Sequence, residues 1–167
     1  MEFNTYFQAL DNNTDSTLQL AKSFPSALIT VSTNDKWSIL QILEHICMTE
    51  KLICGIVSKS SDKSAETNEL LGNDKIKKLV VEKREYKVIA PDILFPKGDM
   101  RDLKDFEKVF LEQRNLLKQD IQTGKLLIDN RIHKHPMLGE MTIKDWLNFL
   151  IHHTQRHLEQ IKDKLEE

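Results

Sequence analysis

Toward its C-terminal end the chain runs Ile151-His152-His153-Thr154-Gln155-Arg156-His157-Leu158-Glu159-Gln160, and three of its six histidines fall within this stretch. A neutral imidazole nitrogen binds Zn, Ni, Fe or Cu well, so the spacing of these rings decides what they can do. Counting back from His157 in helical steps gives His153, Leu150, Trp146 or Leu147, and Ile143; counting forward gives Ile161 and Leu165. His153 and His157 therefore fall on an apolar stripe. His152 shares its side with Asn148, Arg156 and Glu159, a solvent-facing set. Residues four apart on a helix have Cβ atoms roughly 5–6 Å apart, so the 153/157 pair can close on one ion and needs a third ligand from elsewhere.

That third ligand is offered by His45, which lies on a mixed polar seam with Ser38, Gln41, Thr49 and Leu52 inside an otherwise apolar helix. Three histidines with an open fourth position resemble a catalytic rather than a structural metal site. Against this, histidine pairs at this spacing also arise by chance. Burying unpaired imidazoles costs on the order of 1–3 kcal/mol per unsatisfied group, so something must satisfy them. From spacing alone a metal site and a hydrogen-bonded core pair both stay open. The residue after His153 is Thr154, so there is no HExxH and no metalloprotease base. Cys47 and His45 are two apart and point to nearly opposite sides of a helix, which disfavours cysteine catalysis. His133 and His152 read as hydrogen-bonded surface residues. His135, before Pro136, positions a turn, with a place at the mouth of the site as the alternative.

The elements that must carry these residues are helices. Five glycines and four prolines in 167 residues, with 30% charged and 40% apolar, favour long helices over a turn-rich β fold, and one domain over 1–167 is expected. A first amphipathic helix follows Phe3, Phe7, Leu10, Thr14, Leu18 and Ala21, with an unusually polar centre at Asp11-Asn12-Asn13-Thr14 that is expected to face water, with supply of polar groups to a cavity as the alternative. Ser32-Thr33-Asn34-Asp35 offers N-caps for a second helix from Trp37 to Val57. Residues 58–73 are polar and read as a long mobile connection. A short basic helix over about 74–86 and an extended crossing at Ala90 to Gly98 come next, because each proline disfavours helix at the residue before it. A third long helix runs from Leu103 to a stop at Gly124. Residues 130–140 read as a loop, and Thr142 caps a last helix reaching about Leu165. The result is an all-α four-helix bundle with long crossover connections, whose metal sites are built from side chains on facing helices.

Lys plus Arg number 24 against 26 Asp plus Glu, and the charges are interspersed, so nothing asks for nucleic acid. Met1-Glu2-Phe3-Asn4 lacks the basic start and apolar run of a signal peptide, and no apolar run approaches membrane-spanning length, so a cytoplasmic protein is expected. Cys47 and Cys54, seven apart on one helix, are separated by about 10 Å and cannot form a disulfide; they read as small core hydrophobes.

With these residues on the page, the chain resembles the DinB-like (DinB/YfiT) family of DNA-damage-inducible four-helix-bundle proteins. The resemblance spans nearly the whole length. It is carried by Trp37-Ser38-Ile39-Leu40-Gln41-Ile42-Leu43-Glu44-His45, by Ala90-Pro91 through Pro96-Lys97-Gly98, by His135-Pro136-Met137-Leu138-Gly139-Glu140-Met141-Thr142, and by Trp146-Leu147 leading into His153-Thr154-Gln155-Arg156-His157-Leu158-Glu159-Gln160-Ile161. It implies a divalent metal, zinc or nickel first and iron or manganese as alternatives, held at His45, His153 and His157. Family activities include S-transfer from low-molecular-weight thiols such as bacillithiol, mycothiol or glutathione, and maleylpyruvate isomerisation; pairing as homodimers is also implied.

The expected function is therefore metal-dependent transfer of a small thiol to an electrophile, with Gln41 and Thr49 beside His45, and Gln160 near His157, as residues that fix ring orientation. Arg156 reads as a surface residue, with binding of a thiol's carboxylate as the alternative. A hydrolase using the same triad, a non-catalytic stress-response bundle and a metal-free binding module are the competing expectations.

Overall fold

The computed structural model describes residues 3–166; Met1, Glu2 and Glu167 lie outside it, and with them part of the N-terminal stretch read above for a leader. In chain order the helices are α1 (Phe3–Lys22), the one-turn α2 (Ser26–Ile29), α3 (Ile39–Val57), α4 (Asn73–Lys77) running into a wider π turn (Lys78–Glu82), α5 (Leu103–Gln122) and α6 (Ile143–Leu165). A small antiparallel hairpin, β1 (Ile132–His135) with β2 (Gly139–Thr142), precedes α6. The four long helices form the bundle: α1 and α3 each pack on both α5 and α6, so α1 stands diagonally across from α3.

The core is divided along the bundle axis. One apolar cluster gathers Tyr6, Leu10, Ile53, Leu117, Ile121, Leu147 and Leu150, and the other Ala21, Ile42, Leu43, Ile46, Phe106, Phe110 and Ile161. Between them, each long helix contributes a buried polar turn: Asn13, Thr14 and Thr17 from α1, Thr49 and Glu50 from α3, Arg114 from α5, Thr154 and His157 from α6. The polar centre of α1 is thus split. Asp11 and Asn12 face water as expected, whereas Asn13 and Thr14 turn inward. The buried face of α1 is rotated accordingly: Tyr6 takes the inward place, its hydroxyl donating to the Leu147 carbonyl at 3.2 Å, and Phe3 stays exposed.

The caps explain the other departures. Helix α3 begins two residues later than expected and is capped by Ser38 instead of by Ser32-Thr33-Asn34-Asp35. The Ser38 hydroxyl accepts from the Gln41 amide at 3.2 Å, and Gln41 Oε1 accepts from the Ser38 amide at 2.7 Å, a reciprocal capping box. Asn34 and Asp35 instead take positive φ angles of 51° and 58° in the turn before it. Thr142 caps α6 as its sequence suggests, with Asp145 completing the box. The expected loop at 130–140 is the hairpin, its chain reversal closed by Gly139 at φ +81° and tied to α6 by Trp146 Nε1 donating to the His133 carbonyl at 3.1 Å.

The polar segment 58–73 is strapped down, not free. Ser64 bridges to Arg131, Thr142 Oγ1 donates to the Asn68 carbonyl, and the backbone N–H groups of Leu70, Leu71 and Gly72 all donate to the buried Asp145 carboxylate. The basic helix ends at 82, four residues before its expected limit, and the proline-flanked crossing holds a single 3₁₀ turn at Asp92–Leu94. Among the described residues no helix is long and apolar enough to cross a membrane.

Candidate metal centre

Helices α3 and α6 pack side by side, and their contact brings His45 against His153 and His157. The ring centroids lie 5.3 Å (45 to 153), 4.8 Å (45 to 157) and 4.5 Å (153 to 157) apart. One nitrogen from each ring falls within 4.8 Å of the others, and this is the group of His, Cys, Asp and Glu side chains among the described residues that is arranged to hold a metal ion. His45 and His157 are only 4% and 8% exposed, while His153 is half-buried.

Two of the rings are oriented by their outer nitrogens. His45 Nδ1 meets the Leu94 carbonyl at 2.8 Å; a carbonyl only accepts, so Nδ1 carries the proton and Nε2 keeps its lone pair. His157 Nδ1 likewise meets Gln160 Oε1 at 2.7 Å, leaving its Nε2 lone pair to face His153 Nε2 at 3.1 Å. His153 Nδ1 is buried without a hydrogen-bond partner. Burial lowers the pKa of all three. It dominates for His45, against a smaller rise from the Leu94 bond; it takes His157 to about 3 with help from His45; and it takes His153 well below the ordinary range, aided by His157 and His45. All three are therefore neutral near pH 7, the state in which imidazole coordinates a metal. The donor set fits a divalent ion: three neutral ring nitrogens converge, two of them with their outer N–H already fixed by an oxygen.

The expected supporting residues separate. Gln160 orients His157. Gln41 makes no hydrogen bond to His45; its side-chain oxygen accepts from the Ser38 amide in the α3 cap and from Ser32 Oγ at 3.2 Å. Thr49 Oγ1 is buried and meets no hydrogen-bond partner. Arg156 is half-buried rather than on the surface. It donates to the carbonyls of Val80, Arg84 and Tyr86, which occupies both terminal nitrogens and leaves little for a substrate carboxylate. His135 holds its turn, Nδ1 accepting from the Met137 and Leu138 amides at 3.0 and 3.1 Å, and its ring packs edge-on against Phe149, which in turn contacts His153. His133 meets the Lys59 carbonyl and His152 meets Asn73 Oδ1, both away from the cluster. Cys47 and Cys54 are free thiols; burial pushes Cys54 up to about 12 and Cys47 higher still, which removes either as a nucleophile.

Two residues to which the sequence assigns no role in the site complete the surroundings. Trp37 lies 5.1 Å from the His45 ring and 5.8 Å from Phe95, so it wedges between α3 and the crossing segment. Glu44, 3% exposed, accepts the amides of Lys97 (2.9 Å), Gly98 (3.2 Å) and Asp99 (3.1 Å). The signal for it was a carboxylate on an apolar helix beside a Pro-Lys-Gly turn.

Residues 9–161 match the profile described as the DinB superfamily. YuaE, an uncharacterized protein of Bacillus subtilis (strain 168), is 29% identical over 133 residues, covering 77% of each chain.

Proposed function

From the premise that this chain belongs to the DinB superfamily, we propose that it is a divalent-metal protein that transfers a low-molecular-weight thiol to an electrophile, with His45, His153 and His157 as the ligands. The observation that carries the metal is the convergence of three neutral imidazoles within 4.8 Å on two packed helices. The thiol is supported by the activities that the family resemblance implies. His45, His153 and His157 would hold the ion, which when bound would supply a lowered pKa to a thiol, so that the sulfur could attack an electrophilic carbon as its leaving group departs. The chain's own part is to hold the rings. Leu94 and Gln160 fix His45 and His157, and the apolar faces of Trp37 and Phe149 limit water around them. Neither cysteine of the chain takes part, since both thiols stay protonated.

The test has two parts. Protein purified without a His-tag is expected to bind one equivalent of zinc or nickel and the His153→Ala variant almost none; less than about a tenth of an equivalent in the parent would sink the metal site. Conjugation of a generic electrophile with bacillithiol, glutathione and coenzyme A is expected to proceed with at least one thiol and to stop on adding chelator. A rate indifferent to chelator for every thiol overturns the transferase and leaves a non-catalytic bundle; ester cleavage that stops with chelator, without any conjugation, points instead to hydrolysis at the same triad.

A further inference from the structure

Glu44 and His45 are successive residues of α3, and both reach the same crossing segment. His45 Nδ1 donates to the Leu94 carbonyl, while the Glu44 carboxylate gathers three successive amides, those of Lys97 and Asp99 on Oε1 and that of Gly98 on Oε2. Three consecutive N–H groups pointing to one centre form an anion-binding nest, and Gly98, at φ +79°, supplies the left-handed conformation that turns the chain into it. The protein fills this nest with its own carboxylate. Only Phe95 and Pro96 lie between the two attachments, and just before them the 3₁₀ turn is closed by the Leu94 amide donating to the Pro91 carbonyl and the Phe95 amide to that of Asp92. Phe95 also packs edge-on against Trp37, which covers His45.

We propose that Glu44 is a positioning residue for the histidine site: by pinning residues 97–99 it holds the Leu94 carbonyl on His45 Nδ1, and so presents the Nε2 lone pair of His45 to the other two rings. This rests on the metal reading of the triad. Glu44 touches neither an ion nor a substrate; it acts through the backbone of the crossing. Losing it frees the segment, and the His45 ring is then able to take either tautomer and to rotate about its side-chain bonds.

The molecule contains its own control. Asp145 gathers the amides of Leu70, Leu71 and Gly72 in a second nest, this one ending on its left-handed glycine, Gly72 at φ +83°, at the start of α6 and two turns before His153. Glu44→Ala, Glu44→Gln and Asp145→Asn are to be compared with the parent in two measurements. The first is ¹⁵N NMR of the histidine rings in metal-stripped protein, which reports the tautomer of His45. The second is zinc affinity by chelator competition. The parent and Asp145→Asn are expected to show a single Nδ1–H tautomer at His45. Glu44→Ala is expected to show a mixture and to bind zinc about 10- to 100-fold more weakly. Glu44→Gln, whose amide nitrogen cannot accept from one of the three N–H groups, falls between. A His45 tautomer in Glu44→Ala identical to that in Asp145→Asn overturns the proposal. If the parent binds no zinc, the metal reading fails, and the NMR comparison still decides whether Glu44 sets His45.

Discussion

Two polar clusters sit near the middle of this bundle, and they differ in how completely their atoms are used. In the first, Arg114 and Glu50, both 2% exposed, form an ion pair in which Nε donates to Oε1 at 3.2 Å and Nη2 closes on the same oxygen. Arg114 also donates to the Leu10 carbonyl and Thr14 Oγ1, Thr154 Oγ1 donates to Glu50 at 3.0 Å, and the guanidinium lies 4.3 Å over the Phe110 ring. Charge meets charge and every arm of the guanidinium is engaged. In the second, His153 and His157, on either side of Thr154 along α6, meet His45 of α3; the two α6 rings share one hydrogen bond at 3.1 Å, and His153 Nδ1 has no partner. A buried network that closes on itself specifies how four helices dock. A buried set of imidazoles whose ring nitrogens converge, one of them without a partner, has donor capacity that a cation could use, and it is the arrangement with a task left over.

The largest expected effect falls on the closed cluster. Arg114→Met leaves Glu50 buried without its cation and is expected to cost about 3–5 kcal/mol of unfolding free energy in urea titrations. The folded fraction should still bind zinc at the parent's stoichiometry. Adding Glu50→Leu to that variant should recover much of the loss, because the uncompensated charge goes with it. If instead Arg114→Met folded with near-parent stability but lost zinc, the division into a structural and a working cluster would be wrong.

The same contrast marks what could be read without coordinates. The four long helices were legible because their apolar stripes repeat over five turns or so, and the ends at Gly124 and Thr142 because caps are local chemistry. The histidine trio was legible for a related reason: His153 and His157 are one turn apart, and His45 stands out on an apolar helix. Glu44 and Glu50 were not. A carboxylate on a helix that is apolar nearly all round says only that a partner exists, and those partners lie 53 to 55 and 64 residues away, across contacts that periodicity does not encode. The hairpin is not legible because each strand has four residues, too few for alternation to show. Spacing puts Gln41 beside His45, but α3 starts at Ile39 and a capping box with Ser38 takes the Gln41 side-chain oxygen.

Gln160 and Gln41 sharpen the comparison at a smaller scale. Gln160→Leu removes the acceptor on His157 Nδ1 and is expected to weaken zinc about 10- to 100-fold, near 1.4–2.7 kcal/mol, with little change in the stability of metal-stripped protein. Gln41→Leu should do the reverse, costing α3 roughly 0.5–2 kcal/mol through the lost cap while leaving zinc affinity alone. Calorimetric zinc titrations beside urea curves separate the two. Equal zinc losses in both variants would mean that helix α3 as a whole, rather than the orientation of each ring, sets the site.

The gentlest probe is pH, which acts on the open cluster through its burial. His45, His153 and His157 all have folded-state pKa values below the ordinary histidine range, that of His157 at about 3, with desolvation as the first cause in each. An unfolded chain therefore takes up protons below about 6.5 that the folded chain refuses. The stability these rings contribute is fully present above that pH and is lost as pH falls from about 6.5 toward the folded values, by up to about 1.4 kcal/mol per pH unit for each ring. Urea titrations of metal-stripped protein between pH 7.5 and pH 5 should show this slope, and His157→Gln should make it shallower. Zinc-loaded protein should release its metal over the acid side of the same window, since protons and metal compete for the same nitrogens. Identical slopes in the parent and in His157→Gln would mean that the ring is already hydrated in the folded state, and the contrast between a closed and an open cluster would then rest on the ion pair alone.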